Sequence, residues 1–369
     1  MIIGIDASRA IEGERTGTEA YSLFLTRSLI PLATSRGHRI RLYYNDRPAE
    51  EIFPTADDIE HVELSFPRLW THLRLASELH RRPPDVFFTP AHVLPYSYRR
   101  PSVATVHDLG FLVYPEAHTR RQLVYLRWST GHNSRRARKV IVDSEATKKD
   151  LIKYYKIPAE KVEVIFPGID PELRPVMDAD KRAAVMEKYG ITPPYILHIG
   201  TIQPRKNLTR LIDSFIGSGV DHQLVLAGKL GWLAEPIVAK VQEMKPANRE
   251  RILLAGYIAA EDKGALISAA EALVFPSLYE GFGFPVVEAN ACATPVLASN
   301  SSSIPEVAGD AALLVDPLNQ TAIGNGISHI LDDETLRHRL VKAGFNNVRR
   351  FSWETAAVKT LDVLENAAS

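Results

Sequence analysis

Short apolar runs alternate with longer amphipathic stretches along the whole of this 369-residue chain. Ile2–Asp6, Ile40–Tyr44, Val62–Leu64, Val86–Phe88, Val103–Val106, Val140–Val142 and Val162–Ile165 read as buried strands, with helical stretches such as Glu19–Leu32 and Ala146–Tyr155 between them. Apolar strands separated by helix-length segments pair in parallel, because a parallel neighbour needs a crossover connection. A proline-rich link from Pro167 to Pro175 interrupts the series, and a second one follows it: Tyr195–Gly200, Leu224–Ala227, Ile252–Leu254, Ala272–Phe275, Val296–Ala298 and Leu313–Val315. The pattern predicts an α/β protein of two Rossmann-like, doubly wound domains, residues 1–172 and 173–351, facing each other across a cleft. Ligands are expected at the carboxyl ends of the strands. Residues 352–369 form an amphipathic tail helix capped by Ser352. Residues 47–61, acidic and proline-containing, read as a surface loop.

Composition narrows the function. Lys and Arg (44) balance Asp and Glu (44), so no global field points to nucleic acid. The lone cysteine, Cys292, excludes an intrachain disulfide and a multi-cysteine metal site, and its apolar neighbours place it in packing. The start, Met1-Ile-Ile-Gly-Ile-Asp6, lacks a basic leader, and no run is long and apolar enough to span a bilayer. A cytoplasmic protein is the expectation. The segment 119–139 holds seven basic residues, interleaved aromatics and no acid; it suits either peripheral contact with the inner face of a membrane or a solvated helix face.

The densest chemistry lies at Ala272-Leu-Val-Phe275-Pro-Ser-Leu-Tyr-Glu280-Gly-Phe-Gly-Phe-Pro-Val-Val-Glu288. It reads as strand, glycine turn, helix, the geometry that presents free backbone N–H groups to a phosphate. Gly281 and Gly283 permit close approach to an anion. Pro285 suits the first helical position, where its missing N–H would have no intrahelical partner. Glu280 and Glu288, eight positions apart, can both accept hydrogen bonds from sugar hydroxyls. An ordinary turn followed by a helix-terminal acid would use the same residues. After the strand at 195–200, Gly200 is followed by Arg205-Lys206-Asn207. Two adjacent cations just before a helix oppose its dipole, and a bound diphosphate would neutralise both. His107-Asp108 ends the strand at 103–106, where a histidine can face the cleft and Asp108 can orient it. The turn after Asp6 holds Arg15-Thr16-Gly17-Thr18-Glu19, in which Thr16 or Thr18 serves as a helix cap or a ligand. Asp178-Ala-Asp180 has the form of a metal-binding pair, but it stands before the helix Lys181–Tyr189, where acids are ordinary.

The spacing of Glu280 and Glu288, with the strands on both sides and the Gly200…Arg205-Lys206-Asn207 run, resembles the retaining glycosyltransferases of family 4, which have the GT-B fold. The turn holding Gly17 and Thr18, together with Thr105-Val-His107-Asp108-Leu, resembles their mannosyltransferase branch. The resemblance implies a hexosyltransferase moving a sugar from a nucleotide-diphosphate donor to a hydroxyl of a glycan, glycolipid, lipid-linked or small-molecule acceptor. GDP-mannose is the first donor, a UDP-hexose the second. It implies Arg205 and Lys206 on the diphosphate; Glu280, Gly281, Phe282, Gly283 and Phe284 on the sugar side; Glu288 on the ribose. Gly17 and Gly200 would lie near the phosphates and His107 by the reacting sugar. Asp108, Thr18 and Tyr257 take minor or acceptor-side places. The tail helix would cross back to the first domain. No resident cofactor or metal is implied, since cations and a helix dipole meet the leaving-group charge. A nucleotide-sugar-binding protein without turnover, or an epimerase or phosphorylase of the same fold, is the alternative.

Overall fold

The computed structural model describes all residues except 12, 14–16, 47–51 and 92. The chain forms two compact units. Unit 1 comprises Met1–Leu109, Val124–Gly168 and Phe351–Ser369, and unit 2 comprises Gly110–Leu123 and Ile169–Arg350. The segment Gly110–Leu123 belongs with unit 2 although it lies within the first strand series. Trp232 Nε1 donates to Ala117 O at 2.6 Å, and the His118 ring lies 5.4 Å from the Trp232 ring.

Unit 1 is built on β1 (Ile2–Asp6), β2 (Arg39–Tyr44), β3 (Ile59–Glu63), β4 (Val86–Thr89), β5 (Ser102–Val106), β6 (Lys139–Val142) and β7 (Val162–Val164). All pairings are parallel, in the order β3-β2-β1-β4-β5-β6-β7. β4, β5 and β6 are buried along almost their whole length, as strands covered on both faces must be. β3 corrects the expected loop over 47–61. Residues 59–61 are strand, paired with β2 from Ile40↔Ile59 to Tyr44↔Glu63. It is an edge strand in which His61 and Glu63 are exposed and Glu60 pairs with Arg41 and Arg82, so polar residues mask the apolar signal. Residues 47–51 lie outside the described residues.

The tail helix Trp353–Ala368 starts at its predicted cap, where Ser352 Oγ accepts from Thr355 N–H at 3.2 Å. It packs within unit 1 against the helix Gly17–Ser35. Trp353 stacks on Phe24 (5.8 Å), and Arg36 pairs with Asp362 (2.8 Å) and Glu365 (3.0 Å).

Unit 2 carries β8 (Tyr195–Ile199), β9 (Gln223–Ala227), β10 (Ile252–Gly256), β11 (Ala272–Phe275), β12 (Val296–Ser299) and β13 (Leu313–Val315), ordered β10-β9-β8-β11-β12-β13. The strict alternation of these strands builds two cores. Ile196, Leu224, Leu226, Val274 and Leu297 pack with Leu211, Phe215, Ile323 and Ile327 on one face. Leu197, Val225, Leu273, Phe275 and Val296 pack with Leu266, Val286 and Ala289 on the other. Each such large apolar side chain, fully buried, contributes about 1.5–3 kcal/mol. Strand order reverses between β8 and β11 in this sheet and between β1 and β4 in the other, which makes the carboxyl ends there the natural ligand crevices.

Candidate active site

At the switch point of unit 2, β8 and β11 are neighbours, so the segments leaving them meet. Gly200 follows β8 with φ +147°, a conformation that favours glycine, and a Cβ there would stand 3.4 Å from Lys206 Cε. The chain then makes a single 3₁₀ turn, Pro204–Lys206, and enters the helix Leu208–Ser218 through Asn207 at φ +62°. The Asn207 amide fixes this turn by donating to Pro276 O (3.0 Å) and Pro317 O (2.7 Å). Arg205 O in turn accepts from Leu278 N–H at 3.0 Å. The two cation-bearing residues are thereby tied to the segment after β11.

Glu280 is the counter-ion of both. Lys206 Nζ lies 2.6 Å from Glu280 Oε1, and Arg205 Nη1 lies 3.1 Å from Glu280 Oε2 while also donating to Tyr279 O. All three side chains are nearly buried. Burial pushes the Glu280 carboxyl up, but the charges of Lys206 and Arg205 outweigh it and hold the group at about 2. Glu280 thus already sets one negative charge against the two cations expected to meet a diphosphate, and the three side chains sum to +1.

The turn around Glu280 is held from outside by three serines. Glu280 N–H donates to Ser302 Oγ (2.8 Å); the single Ser303 hydroxyl hydrogen is shared between Glu280 O (2.9 Å) and Phe282 O (2.8 Å); Ser301 Oγ donates to Leu278 O (3.0 Å). Gly283 sits at φ +110°, and a Cβ on it would strike Ile304 Cδ1 at 2.5 Å. The helix Phe284–Ala291 begins there, with Pro285 in its first turn. Phe282 and Phe284 meet edge to face at 5.1 Å. Glu288 is in this helix, buried, with Lys263 Nζ 2.5 Å from its Oε1. Cys292, one turn on, is packing as expected, and burial first and then the Glu288 charge push its thiol up to about 12.

Behind Lys206 lies His198, wholly buried in β8. Its ring stacks on Phe275 (5.5 Å), Nδ1 bonds Val274 O at 3.1 Å, and Nε2 has no hydrogen-bond partner among the described residues. Lys206 Nζ itself stands 4.9 Å over the Phe275 ring. Burial, reinforced by the Lys206 charge, lowers His198 to about 4, so the ring is neutral at pH 7.

In unit 1, β4, β5 and β6 deliver Pro90, His107 and Asp143 side by side. His107 Nδ1 lies 2.6 Å from Asp143 Oδ2 and Nε2 lies 2.8 Å from Pro90 O. The residue whose carboxylate meets the His107 ring is therefore Asp143, the first position after β6, rather than Asp108. Burial opposes the imidazolium, yet Asp143 raises His107 above its ordinary range; burial likewise raises Asp143 against the opposing pull of His107. The Tyr21 ring meets His107 edge-on at 4.7 Å. Gly17 opens the helix Gly17–Ser35 and is exposed, Thr18 is half-buried, and Glu19 pairs with Arg9 at 3.6 Å. Arg15 and Thr16, including the reading of Thr16 as a cap, lie outside the described residues.

Tyr257 follows Gly256 (φ +74°) at the end of β10 and is half-buried. Ser144 is the cap of the helix Glu145–Tyr155, accepting from Thr147 N–H at 3.1 Å. Asp178 caps the helix Ala179–Tyr189, accepting from Asp180 N–H (3.0 Å) and Lys181 N–H (3.1 Å). Among the described residues, no group of three or more His, Cys, Asp or Glu is placed to hold a metal ion, and no helix is long and apolar enough to cross a membrane. Lys263, His198 and Asp143 stand beside the candidate site residues and were not singled out from the sequence. Adjacency of parallel strands was the available signal for Asp143 and His198.

Comparison with known proteins gives a consistent picture. The family model described as glycosyl transferases group 1 matches residues 181–347, and that described as Glycosyltransferase Family 4 matches residues 17–173. The O-antigen chain mannosyltransferase B of Escherichia coli is 30% identical over 282 residues, 75% of this chain and 73% of that protein. The serotype-specific mannosyltransferase WbdA of Escherichia coli is 28% identical over 227 residues, 60% of this chain but 28% of that longer protein. Among solved structures, sucrose-phosphate synthase from Thermosynechococcus elongatus superposes with TM-score 0.77 at 21% identity, covering 100% of both chains. Anabaena HepE, solved in complex with UDP and glucose, superposes with TM-score 0.75 at 20% identity, covering 99% of both.

Proposed function

We propose a function from the premise that this chain belongs to glycosyltransferase family 4, in its mannosyltransferase-like branch, and has the GT-B fold. It is a hexosyltransferase using a nucleotide-sugar donor. The finer reading is transfer of mannose from GDP-mannose to a hydroxyl of a glycan or lipid-linked acceptor, with retention of configuration and without a metal ion. The name of the 30%-identical relative supports mannose. A UDP-hexose is the second donor, favoured by the UDP and glucose in the complex of the HepE structure.

One observation carries the reading: Arg205, Lys206 and Glu280 converge beside the Gly281–Pro285 turn at a topological switch point. In transfer, negative charge develops on the leaving diphosphate. The net +1 of that cluster and the backbone N–H groups opening the helix Phe284–Ala291 are fixed in place to meet it. Arg205 and Lys206 take the phosphates, Gly200 lets them approach, and Glu280 with Gly281–Phe284 takes the sugar. Glu288, preset by Lys263, takes the ribose hydroxyls. His107 serves the transferred sugar, and Thr18, Asp108 and Tyr257 have lesser or acceptor-side places. The segment 119–139 is read as a contact with an anionic membrane face. Its helix Arg120–Arg136 exposes Val124, Tyr125 and Trp128 between arginines with no acid among them.

The test is nucleotide release from GDP-mannose, UDP-glucose and UDP-galactose, with and without mannoside and lipid-linked acceptors, in excess EDTA. Release stimulated by acceptor and strongest with GDP-mannose is expected, with the product's anomeric configuration read by NMR. Binding without release from any donor would leave a nucleotide-sugar-binding protein. Loss in EDTA that manganese restores would overturn metal independence and direct attention to Asp178 and Asp180.

A further inference from the structure

The geometry points to Asp143 as a positioning residue that fixes His107 as an obligate hydrogen-bond donor through Nε2. The inference rests on the proposed function for what the donated hydrogen serves, but not for the state of the ring.

Both ring nitrogens of His107 face oxygen. Pro90 O, 2.8 Å from Nε2, is a carbonyl and can only accept. Nε2 must therefore carry hydrogen. Asp143, 2.6 Å from Nδ1 and with its side chain 3% exposed, completes the ring in either of two ways. Nδ1–H donates to the carboxylate, or a protonated Asp143 donates to Nδ1; both place the hydrogen of Nε2 on the Pro90 side. If the pair lost its shared proton, a lone pair would face either the buried carboxylate or the carbonyl, at a cost comparable to an unmade buried hydrogen bond. The remaining oxygen of Asp143 is buried with no hydrogen-bond partner among the described residues, so none of them competes with His107 for this carboxyl. Tyr21, edge-on from the helix Gly17–Ser35, packs against the ring and brings no charge at neutral pH. Asp108, next in the chain, adds a second negative charge that favours the bound proton, while burial opposes it. Thr147 Oγ1 donates to His107 O at 3.4 Å and anchors the strand end.

The consequence is a sign for the role of His107. A ring held this way does not abstract the acceptor's proton; it gives a hydrogen bond. The Pro90 carbonyl is the one partner that a substrate oxygen can replace, and a sugar hydroxyl or phosphate oxygen fits the place. Asp143 does not touch substrate; it holds the tautomer and the aim.

The experiment is ¹⁵N histidine NMR of the whole protein together with steady-state kinetics of wild type, Asp143→Asn and Asp143→Glu. In wild type at pH 7, His107 Nε2 should show the shift of a protonated ring nitrogen; a lone-pair signal there overturns the inference without any variant. In Asp143→Asn the ring should lose its proton at lower pH. The alkaline limb of the kcat profile should move to lower pH with it, and kcat should fall on the order of tenfold or more, as for other carboxylates that orient a histidine, with a smaller change in donor KM. Asp143→Glu should restore part of both. A kcat profile unmoved by Asp143→Asn, in a protein that still binds nucleotide, refutes the positioning role. If no donor is turned over at all, the proposed function fails while the NMR result still decides the state of the ring.

Discussion

Glu280→Gln removes the charge shared by Arg205 and Lys206 while keeping the shape of the side chain, and it mimics the protonated wild-type residue. The wild-type carboxyl sits at about 2, against an ordinary 4.5, because the two cations overcome its burial. At about 1.36 kcal/mol per pH unit, that gap corresponds to about 3 kcal/mol of stability at neutral pH. The sign follows from the direction of the shift. A depressed carboxyl stabilises the fold at pH above about 4.5, and the contribution fades as pH falls from there to about 2. Urea unfolding at a series of pH values should therefore show the variant less stable by about 3 kcal/mol at pH 7, with the two curves converging toward pH 2–3. The same change takes the cluster from net +1 to net +2, so nucleoside diphosphate measured by calorimetry should bind at least as tightly, while transfer declines through loss of the sugar contact. Equal stability at pH 7, or a gap that widens on acidification, would refute the assignment of Glu280 as the buried counter-ion of both cations. Weaker diphosphate binding in a folded variant would show that the phosphates lie elsewhere.

Gly228→Ala should be severe. Gly228 has φ +149°, and a Cβ there would lie 2.0 Å from Gly200 O, so the exit from β8 must move. A loss of about 2–4 kcal/mol is expected from backbone strain and overpacking together, and an unfolding midpoint close to wild type would count against the packing described. His198 should titrate near 4 by NMR, and its contribution to stability, present above about 6.5, should be lost as pH falls through 4. Addition of a nucleoside diphosphate should raise that value by offsetting Lys206; a midpoint indifferent to nucleotide would place the phosphates away from Lys206. Trp128→Ala combined with Tyr125→Ala should release the protein from vesicles of one-third anionic lipid while leaving binding to neutral vesicles absent, and undiminished co-sedimentation would refute the membrane reading of the segment 119–139.

What the sequence revealed and what it hid divide along a physical line. The strands of both sheets were visible because burial on both faces demands apolar runs, as in Ala272–Phe275 and the first three residues of Val296–Ser299. β3 was the partial exception, since an edge strand needs only one apolar face. Gly283 and Pro285 were legible because backbone geometry dictates residue type locally. Partnerships were not. Glu280 finds Arg205 and Lys206 about seventy-five positions away, Glu288 finds Lys263 at twenty-five and His107 finds Asp143 at thirty-six. None of these distances has a periodicity to betray it. Yet two of the three pairs obey one rule that strand order supplies. Residues just past the carboxyl ends of adjacent parallel strands are neighbours, whatever lies between them in the chain. β8 beside β11 joins Lys206 to Glu280, and β5 beside β6 joins His107 to Asp143. Lys263 reaches Glu288 from helix to helix, where no strand register constrains it, and that pair is the one no argument from topology would have found.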